Sequence, residues 1–443
     1  MKRIVGLLAL LALLPSANAG ELTNSAEYRL RYQLDQDKDG NSKANPSSQN
    51  TWMQRFKLSS TFRSGEKLTG QLTLLHNATW GHGFSTTGDT GTGLMDGTGD
   101  AENMVLVNEA YGAWMASSEL MFRFGRGALN MADSRVIGVN DWEATPYAFE
   151  GALITWDKEF ARFNAYGVKF AELGTSAATL TGRSDPEIVS YGLSVDWKSL
   201  PEFLKMANFH VILVNKDATS ANGTADLTND QEARTRYGLT VGGDAMNIDY
   251  RLTAAMHSGK ITDIVDGAGT TADRTGSMID AELGYSMPEV MNSRVSFLYH
   301  MDSGDDGSDP KKFKTYDPFF YEKHDNAGWM DIFGWGNLTY MQLKYTMDIM
   351  DDLNLAVQYL MFTQSEEKGA INVGANGSAF KTAAGDTTKS ALGSEIDLAV
   401  TKKYDGGLDI TARAGMFSPG DEYKATNTDD AYTQFFVEGK MTF

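Results

Sequence analysis

The sequence contains no cysteine, so its fold is held without disulfides, even though its first residues point to a compartment that would permit them. Past residue 20 it also lacks any apolar run long enough to cross a bilayer as a helix. The longest candidate, Phe209 to Val214, is strand-sized, where about twenty residues are needed. Helical membrane architectures are thereby excluded. Proline is scarce, nine in 443 residues, and forms no linker. With no low-complexity tract or break in composition, a chain whose length alone suggests two or three soluble domains reads as one continuous unit. Basic residues are outnumbered, 39 against 58 acidic ones, for a formal charge of −19; no nucleic-acid partner is expected.

The chain opens with Lys2 and Arg3, an apolar run from Ile4 to Leu14, and Pro15-Ser16-Ala17-Asn18-Ala19. This is the pattern of a secretory signal peptide, residues 1–19, cleaved near Ala19 after Sec export. Beyond it, apolar and polar residues alternate with the period of a β-strand. Tyr28, Leu30, Tyr32 and Leu34 share one face, and Glu27, Arg29, Arg31 and Gln33 the other. Tyr237, Leu239 and Val241 oppose Arg234 and Arg236, while Val295, Phe297, Tyr299 and Met301 oppose Arg294, Ser296 and His300.

Connections alternate in length. Short ones fall at 64–66, 116–118, 158–159, 242–244, 350–351 and 405–406, with a less tidy one at 198–205. Long ones cover 35–51, 81–102, 127–146, 171–187, 215–233, 258–276, 302–335, 364–391 and 418–430. Nine long loops predict about eighteen strands with both termini on the short-turn side. The final segment, Tyr432 to Phe443, alternates and ends on phenylalanine. An open sheet edge in lipid would leave backbone groups that nothing can satisfy, so the sheet must close. The expected fold is all-β: residues 20–443 as a single transmembrane antiparallel barrel of about eighteen strands, with short periplasmic turns and long extracellular loops. Its place is the outer membrane of a Gram-negative cell, among lipid and lipopolysaccharide.

Charges on the polar parity should face the lumen, because Arg or Lys at the lipid midplane costs about 2–4 kcal/mol. This places Arg29, Arg31, Arg55, Arg63, Arg123, Arg234, Arg236, Arg251, Arg294 and Arg413 inside, with Glu27, Asp249, Asp280, Glu282, Asp302, Glu395, Asp397, Asp409 and Glu438. Such arginines can bind anionic groups of a solute in bidentate fashion, or form ion pairs along the wall; for any single arginine the ion pair is the preferred reading. Asp35, Asp37 and Asp39 precede Gly40 with the spacing of a calcium loop, although Pro46 stands where a bidentate glutamate belongs. Apart from calcium in extracellular loops, no cofactor is expected. Catalysis has no positive sign: His257 and His300 lie on strands away from any nucleophile motif, and His76 and His82 lack a third ligand.

Two stretches resemble the alginate export porin family. The first is Phe122-Arg123-Phe124-Gly125-Arg126, with Ser134-Arg135-Val136-Ile137-Gly138, Asp141-Trp142 and Ala148-Phe149-Glu150-Gly151. The second is Ser303-Gly304-Asp305-Asp306, Thr315-Tyr316-Asp317-Pro318-Phe319-Phe320, His324 and Gly328-Trp329-Met330-Asp331-Ile332-Phe333-Gly334-Trp335-Gly336-Asn337-Leu338. Elsewhere the similarity is generic, apart from the Leu392–Leu398 strand. The resemblance implies an eighteen-stranded barrel with a pore for anionic polysaccharide, in which Arg126 and Arg135 contact or position loops around the permeating chain. Asp141 and Asp331, within these stretches, join the implied substrate path. Gly127 and Glu150 depart from the family pattern.

The reading is a porin-like channel for hydrophilic solutes, anionic ones among them, constricted by loop 302–335 or 127–146, and not an enzyme. Two alternatives stay open. One is a dedicated exopolysaccharide export pore working with a periplasmic partner, marked by a continuous basic track. The other is a surface-binding or structural barrel blocked by its loops.

Overall fold

The computed structural model describes residues 20–37, 48–80, 105–172, 187–216, 231–262, 271–324, 326–371, 390–422 and 430–443. The leader, Asp39, Pro46 and His82 lie outside them. Nineteen strands follow in chain order: β1 Glu21–Gln36, β2 Ser48–Ser64, β3 Leu68–Thr79, β4 Val105–Met115, β5 Leu120–Gly127, β6 Phe149–Asp157, β7 Ala161–Glu172, β8 Glu187–Trp197, β9 Met206–Lys216, β10 Gln231–Ala245, β11 Ile248–Thr262, β12 Thr271–Met287, β13 Ser293–Asp302, β14 Lys312–Phe313, β15 Leu338–Met350, β16 Leu353–Gln364, β17 Ala391–Tyr404, β18 Leu408–Pro419 and β19 Tyr432–Thr442. All but the two-residue β14, which pairs with β12 from within a loop, form one antiparallel wall of eighteen strands. The wall closes where β1 meets β19, with Glu27 opposite Thr442 and Gln36 opposite Thr433. Closure satisfies every edge, as lipid demands.

Burial along the strands runs opposite to that of a soluble protein. Leu193, Phe124 and Leu283 are 62%, 58% and 57% exposed, whereas Arg236, Asp280 and His300 on the other parity are 0% exposed. The exposed apolar band is the lipid face. Trp114, Trp156, Trp197 and Tyr404 sit on it beside the short turns, and Trp52 and Trp80 stack at 5.5 Å toward the long-loop rim; these are the interfacial girdles.

Every second connection is short, with both termini on that side, as the loop lengths predicted. The expected turn at 242–244 falls elsewhere. β10 continues to Ala245 and turns at Met246-Asn247, both with positive φ, the two-residue geometry that a twisted hairpin prefers. Gly243 serves a different need, since a Cβ there would lie 1.9 Å from the Phe203 carbonyl oxygen, where the 198–205 connection crosses. An eighth short turn, at 288–292, was not singled out in the sequence. Within the expected loop 258–276, β11 runs on to Thr262 and β12 begins at Thr271.

Two long connections, 128–148 and 303–337, do not stand clear of the barrel. The first touches β1 and β2 through Asp141 and β12 through Arg135; the second reaches β10 through Pro318 and β17 through Trp329. Contacts to such distant parts of one closed wall are possible only from inside. Tyr316, Tyr321, Met330, Ile332, Phe333 and Trp335 of the later loop are buried against Leu298, Tyr340, Leu360, Phe362 and Phe417 of the wall. Leu129, Met131, Val136 and Ile137 of the earlier loop pack against Phe149, Val168, Ile212 and Val214. The barrel thus keeps its hydrophobic core in its lumen.

Candidate functional site

The site is the assembly these two loops build across the lumen. They meet each other directly. The amide of Gly138 donates to the Phe320 carbonyl at 2.7 Å, that of Glu322 to the Ser134 carbonyl at 2.8 Å, and that of Asn140 to Glu322 Oε2 at 2.6 Å. The rings of Trp142 and His324 stack at 3.6 Å and 2°. Three groups of charged wall residues then hold the pair in place.

The first group lies on β18, β19, β1 and β2. Arg29 donates to the carbonyls of Asp141, Trp142 and Glu143 at 3.0, 2.9 and 3.0 Å. Arg55 donates to the Asp141 carbonyl at 2.8 Å and the Glu143 carbonyl at 3.0 Å, and pairs with Asp141 Oδ2 at 3.0 Å and Glu27 at 2.5 Å. Arg31 lies 3.6 Å over the Trp142 ring and pairs with Glu438 at 2.9 Å. Arg413 sits 4.9 Å from the same ring and 2.5 Å from His324 Nε2, while Asp331 meets His324 Nδ1 at 2.9 Å. Burial alone would raise the Asp141 carboxyl, but Arg55 and Lys57 hold it below the usual carboxylate range.

The second group lies on β11, β12 and β13. Asp280 takes Arg135 of the loop at 2.8 Å and Arg251 at 3.3 Å, and faces His300 at 3.2 Å. Arg294 bridges Asp249 at 2.5 Å and Glu282 at 2.9 Å. Asp302 accepts the amides of Gly336 and Leu338, both at 2.7 Å, and so closes the later loop onto its strand.

The third group is on β10 and β12. Arg234 and Arg274 pair with Asp317 at 2.9 and 3.1 Å, and Arg236 donates to the Pro318 carbonyl at 2.9 Å and to the Tyr316 hydroxyl. Burial would raise Asp317, yet Arg234 and Arg274 outweigh it and keep the carboxyl low. On β17, Glu395 accepts the amides of Trp329 and Met330 at 2.7 and 3.1 Å, and Gln358 donates to Asp397 at 2.8 Å.

Of the residues singled out in the sequence, Arg29, Arg31, Arg55, Arg413, Asp141 and Asp331 therefore converge on the tip of loop 128–148. Arg135, Arg251 and Arg294 gather on the opposite wall, and Arg234 and Arg236 anchor the later loop. Most are committed to the protein's own carbonyls and carboxylates, in line with the ion-pair reading. Arg126 departs from expectation. It shares the parity of the outward-facing Phe122 and Phe124, donates to the Asn108 carbonyl at 3.1 Å, and pairs with Glu150 at 3.0 Å near the long-loop rim. Asp35 is engaged by Tyr432 at 2.6 Å and by Gln33 and Gln434, both at 2.9 Å; Asp37 ends the described part of its loop with φ of 58°. The sequence reading missed Trp142 as a stacking partner, and Glu395 and Glu27 as anchors. The inward parity of the two glutamates was visible but their partners were not, and Trp142 lies in a loop, where no alternation applies.

Beside the assembly, toward the short turns, lies a cavity of about 510 Å³ between loop 128–148 and the β4–β8 wall, lined among others by Arg123, Asn130, Leu153, Thr155, Asn164 and Tyr166.

The sequence model of the alginate export family matches residues 21–437. The chain belongs to the alginate export family. Membership places the barrel in the outer membrane and makes it a channel, not an enzyme. No curated protein sequence matches the chain. Among solved structures it is similar to OccK11 (OpdR) of Pseudomonas aeruginosa, with TM-score 0.59 at 13% identity over 96% of this chain and 98% of that one. OccAB1 of Acinetobacter baumannii gives 0.60 at 12% over 97% and 98%. OccK2 (OpdF) of Pseudomonas aeruginosa, solved in complex with glucuronate, gives 0.59 at 12% over 96% and 98%. At these identities the likeness is one of fold. It extends the alginate export barrel to the plan of the Occ structures.

Proposed function

We propose that the protein passes small hydrophilic solutes, anionic ones preferentially, through an outer-membrane path narrowed by its two inserted loops. The observation that carries this reading is the anchoring of both loops to opposite walls. A barrel of eighteen strands otherwise encloses a wide aqueous lumen, and loops held by this many charge-assisted hydrogen bonds reduce it to a fixed, charged passage. Arg29, Arg31, Arg55, Arg135, Arg234, Arg236 and Arg251 shape that passage by holding the loops, with Asp141 and Asp331 on the loop side, and Arg294 lines the wall through its pairs with Asp249 and Glu282. Arg123, Arg413, Lys57 and Lys440 present positive charge beside it. The glucuronate in OccK2 supports a solute of that size and charge.

A second reading, export of an alginate-like polysaccharide, is favoured by the family match. It requires a partner on the periplasmic side to displace the loops while the chain threads. On either reading residues 1–19 are a signal removed near Ala19, and 20–443 are one barrel domain surrounded by lipid and lipopolysaccharide.

The test is single-channel recording of refolded protein in planar bilayers under a salt gradient. Small, steady steps with an anion-selective reversal potential, interrupted by glucuronate, are expected. Cation selectivity would sink the anionic reading, and absence of any conductance would favour a blocked barrel. Interruption by long oligouronates at lower concentration than by the monomer would favour export.

A further inference from the structure

Arginines and their acids hold loop 128–148 and the Asp317 end of loop 303–337. The anchor on β17 is built of acids alone. Glu395 and Asp397 are both buried on the inward parity of that strand, and their carboxyls meet each other. Loop 303–337 is bound to the two together. The Trp329 amide lies 2.7 Å from Glu395 Oε1 and 3.4 Å from Asp397 Oδ2, and the Met330 amide lies 3.1 Å from Glu395 Oε1. The packing around them is close, since a Cβ on Gly415 of β18 would fall 2.6 Å from Asp397 Oδ1 and 2.7 Å from Met330 Cγ.

Among the described residues, no neighbouring element pairs a cation with these acids. On β16, Gln358 gives Asp397 a neutral donor at 2.8 Å. On β18, Arg413 is turned to His324 at 2.5 Å and to the Trp329 ring at 4.8 Å, and Lys344 of β15 lies 5.1 Å from the same ring. Tyr432 of β19 gives its hydroxyl to Asp35, while Asp331 of the loop meets His324 and adds negative charge near Glu395. Glu395 Oε2 receives no hydrogen bond from the described residues. Two carboxyls sharing one buried site cannot both ionise. A proton between them removes the repulsion and turns Glu395 into the donor that Asp397 accepts. Asp397 is the member suited to the negative charge, because Gln358 and the field of Arg413 both act on it.

We propose that Glu395 and Asp397 hold one proton between them and act as a latch, keeping loop 303–337 on the wall at neutral pH and releasing it when alkali removes that proton. The direction follows from counting protons. With the loop seated, the pair binds one. With the loop displaced, water reaches both acids and they ionise above their ordinary values of about 4. Seating therefore takes up a proton and weakens as pH rises, by up to about tenfold per pH unit. The latch rests on the channel reading for its purpose, a wider path in alkali, but not for its test.

That test is tryptic cleavage after Lys323 in the full-length mature barrel in detergent, between about pH 7 and about pH 9.5. Dividing each wild-type rate by that of Glu395→Gln at the same pH cancels the protease's own pH dependence. The ratio should rise about tenfold or more across the range. Glutamine still accepts the two loop amides and donates to Asp397, but it has no proton to lose. Asp397→Asn removes the other charge and should flatten the profile in the same way, so either variant serves if the other fails to fold. A level ratio against both variants would overturn the proposal. So would release of the loop at pH 7 by a chelator of divalent cations, because a metal ion would then stand in the proton's place. Bilayer recordings separate the two questions. A barrel with the expected cleavage profile that conducts at no pH refutes the channel and leaves the latch, whereas a conducting barrel with a level ratio refutes the latch and leaves the channel.

Discussion

A guanidinium buried in a barrel wall has to find acceptors, and Arg55, 2% exposed, finds them in two carboxylates and two loop carbonyls. Replacing it with methionine keeps the volume, takes from Glu27 and the Asp141 carboxylate their buried guanidinium partner, and leaves Arg29 as the remaining arginine donor to the Asp141 and Glu143 carbonyls. Breaking a buried pair in this way costs about 3–5 kcal/mol; the low end is expected, because Lys440 remains 3.3 Å from Glu27. The same contact carries a pH dependence. Asp141 is held below its ordinary value of 3.8, so its contribution is fully present above that value and fades as pH falls through the lowered one. Wild-type current should therefore be quiet at neutral pH and become noisy only below about pH 4, whereas Arg55→Met should be noisy at pH 7. A quiet Arg55→Met channel would show that Arg55 does not hold the loop. That Arg55 points inward was legible from the alternation of β2. Its partner was not, because Asp141 lies 86 residues further on and nothing local couples the two. Arg126 shows the reverse: its parity with Phe122 and Phe124 was readable, and resemblance alone put it in the substrate path.

The loops are elements with their own internal requirements, and Gly328 is where loop 303–337 lies against Glu395 of β17. Its φ of 92° suits glycine, and a Cβ there would fall 2.3 Å from Glu395 Oε1. That proximity lets the Trp329 and Met330 amides reach Glu395. Gly328→Ala should push the loop off β17 while leaving the strands intact. The expected result is faster tryptic cleavage after Lys323, with the barrel's resistance to detergent unfolding kept and open-state conductance raised. Unchanged proteolysis would mean that Asp302 and the pairing of Asp317 with Arg234 and Arg274 hold the loop without Glu395. The sequence marked both loops by their length, and counted the strands because loop lengths alternate. It named 302–335 or 127–146 as the constriction but did not reveal that both fold inward and meet, since their buried aromatics read equally well as a surface cluster. The turn at Met246-Asn247 was misplaced for a related reason: Gly242-Gly243 looks like a turn, but its small size serves the 198–205 crossing.

At the scale of the whole molecule, the outer face has to be apolar at mid-height and can be polar near its rim. β8 offers both conditions on one strand. Leu193, the most exposed large aliphatic of the band at 62%, sits at the middle of Glu187–Trp197. Val189, on the same parity, lies near the long-loop end opposite Lys169, so a natural lysine already occupies that height. Leu193→Arg should cost about 2–4 kcal/mol and Val189→Arg only about 0–1 kcal/mol, the depth profile of charge on a barrel's lipid face. Reversible urea unfolding in thin-bilayer vesicles would read both. If this surface faced water, as the outside of a soluble sheet does, both substitutions would be close to neutral and the order would be lost. If it faced protein, Val189→Arg would cost as much as Leu193→Arg. Only lipid makes height along the strand the controlling variable.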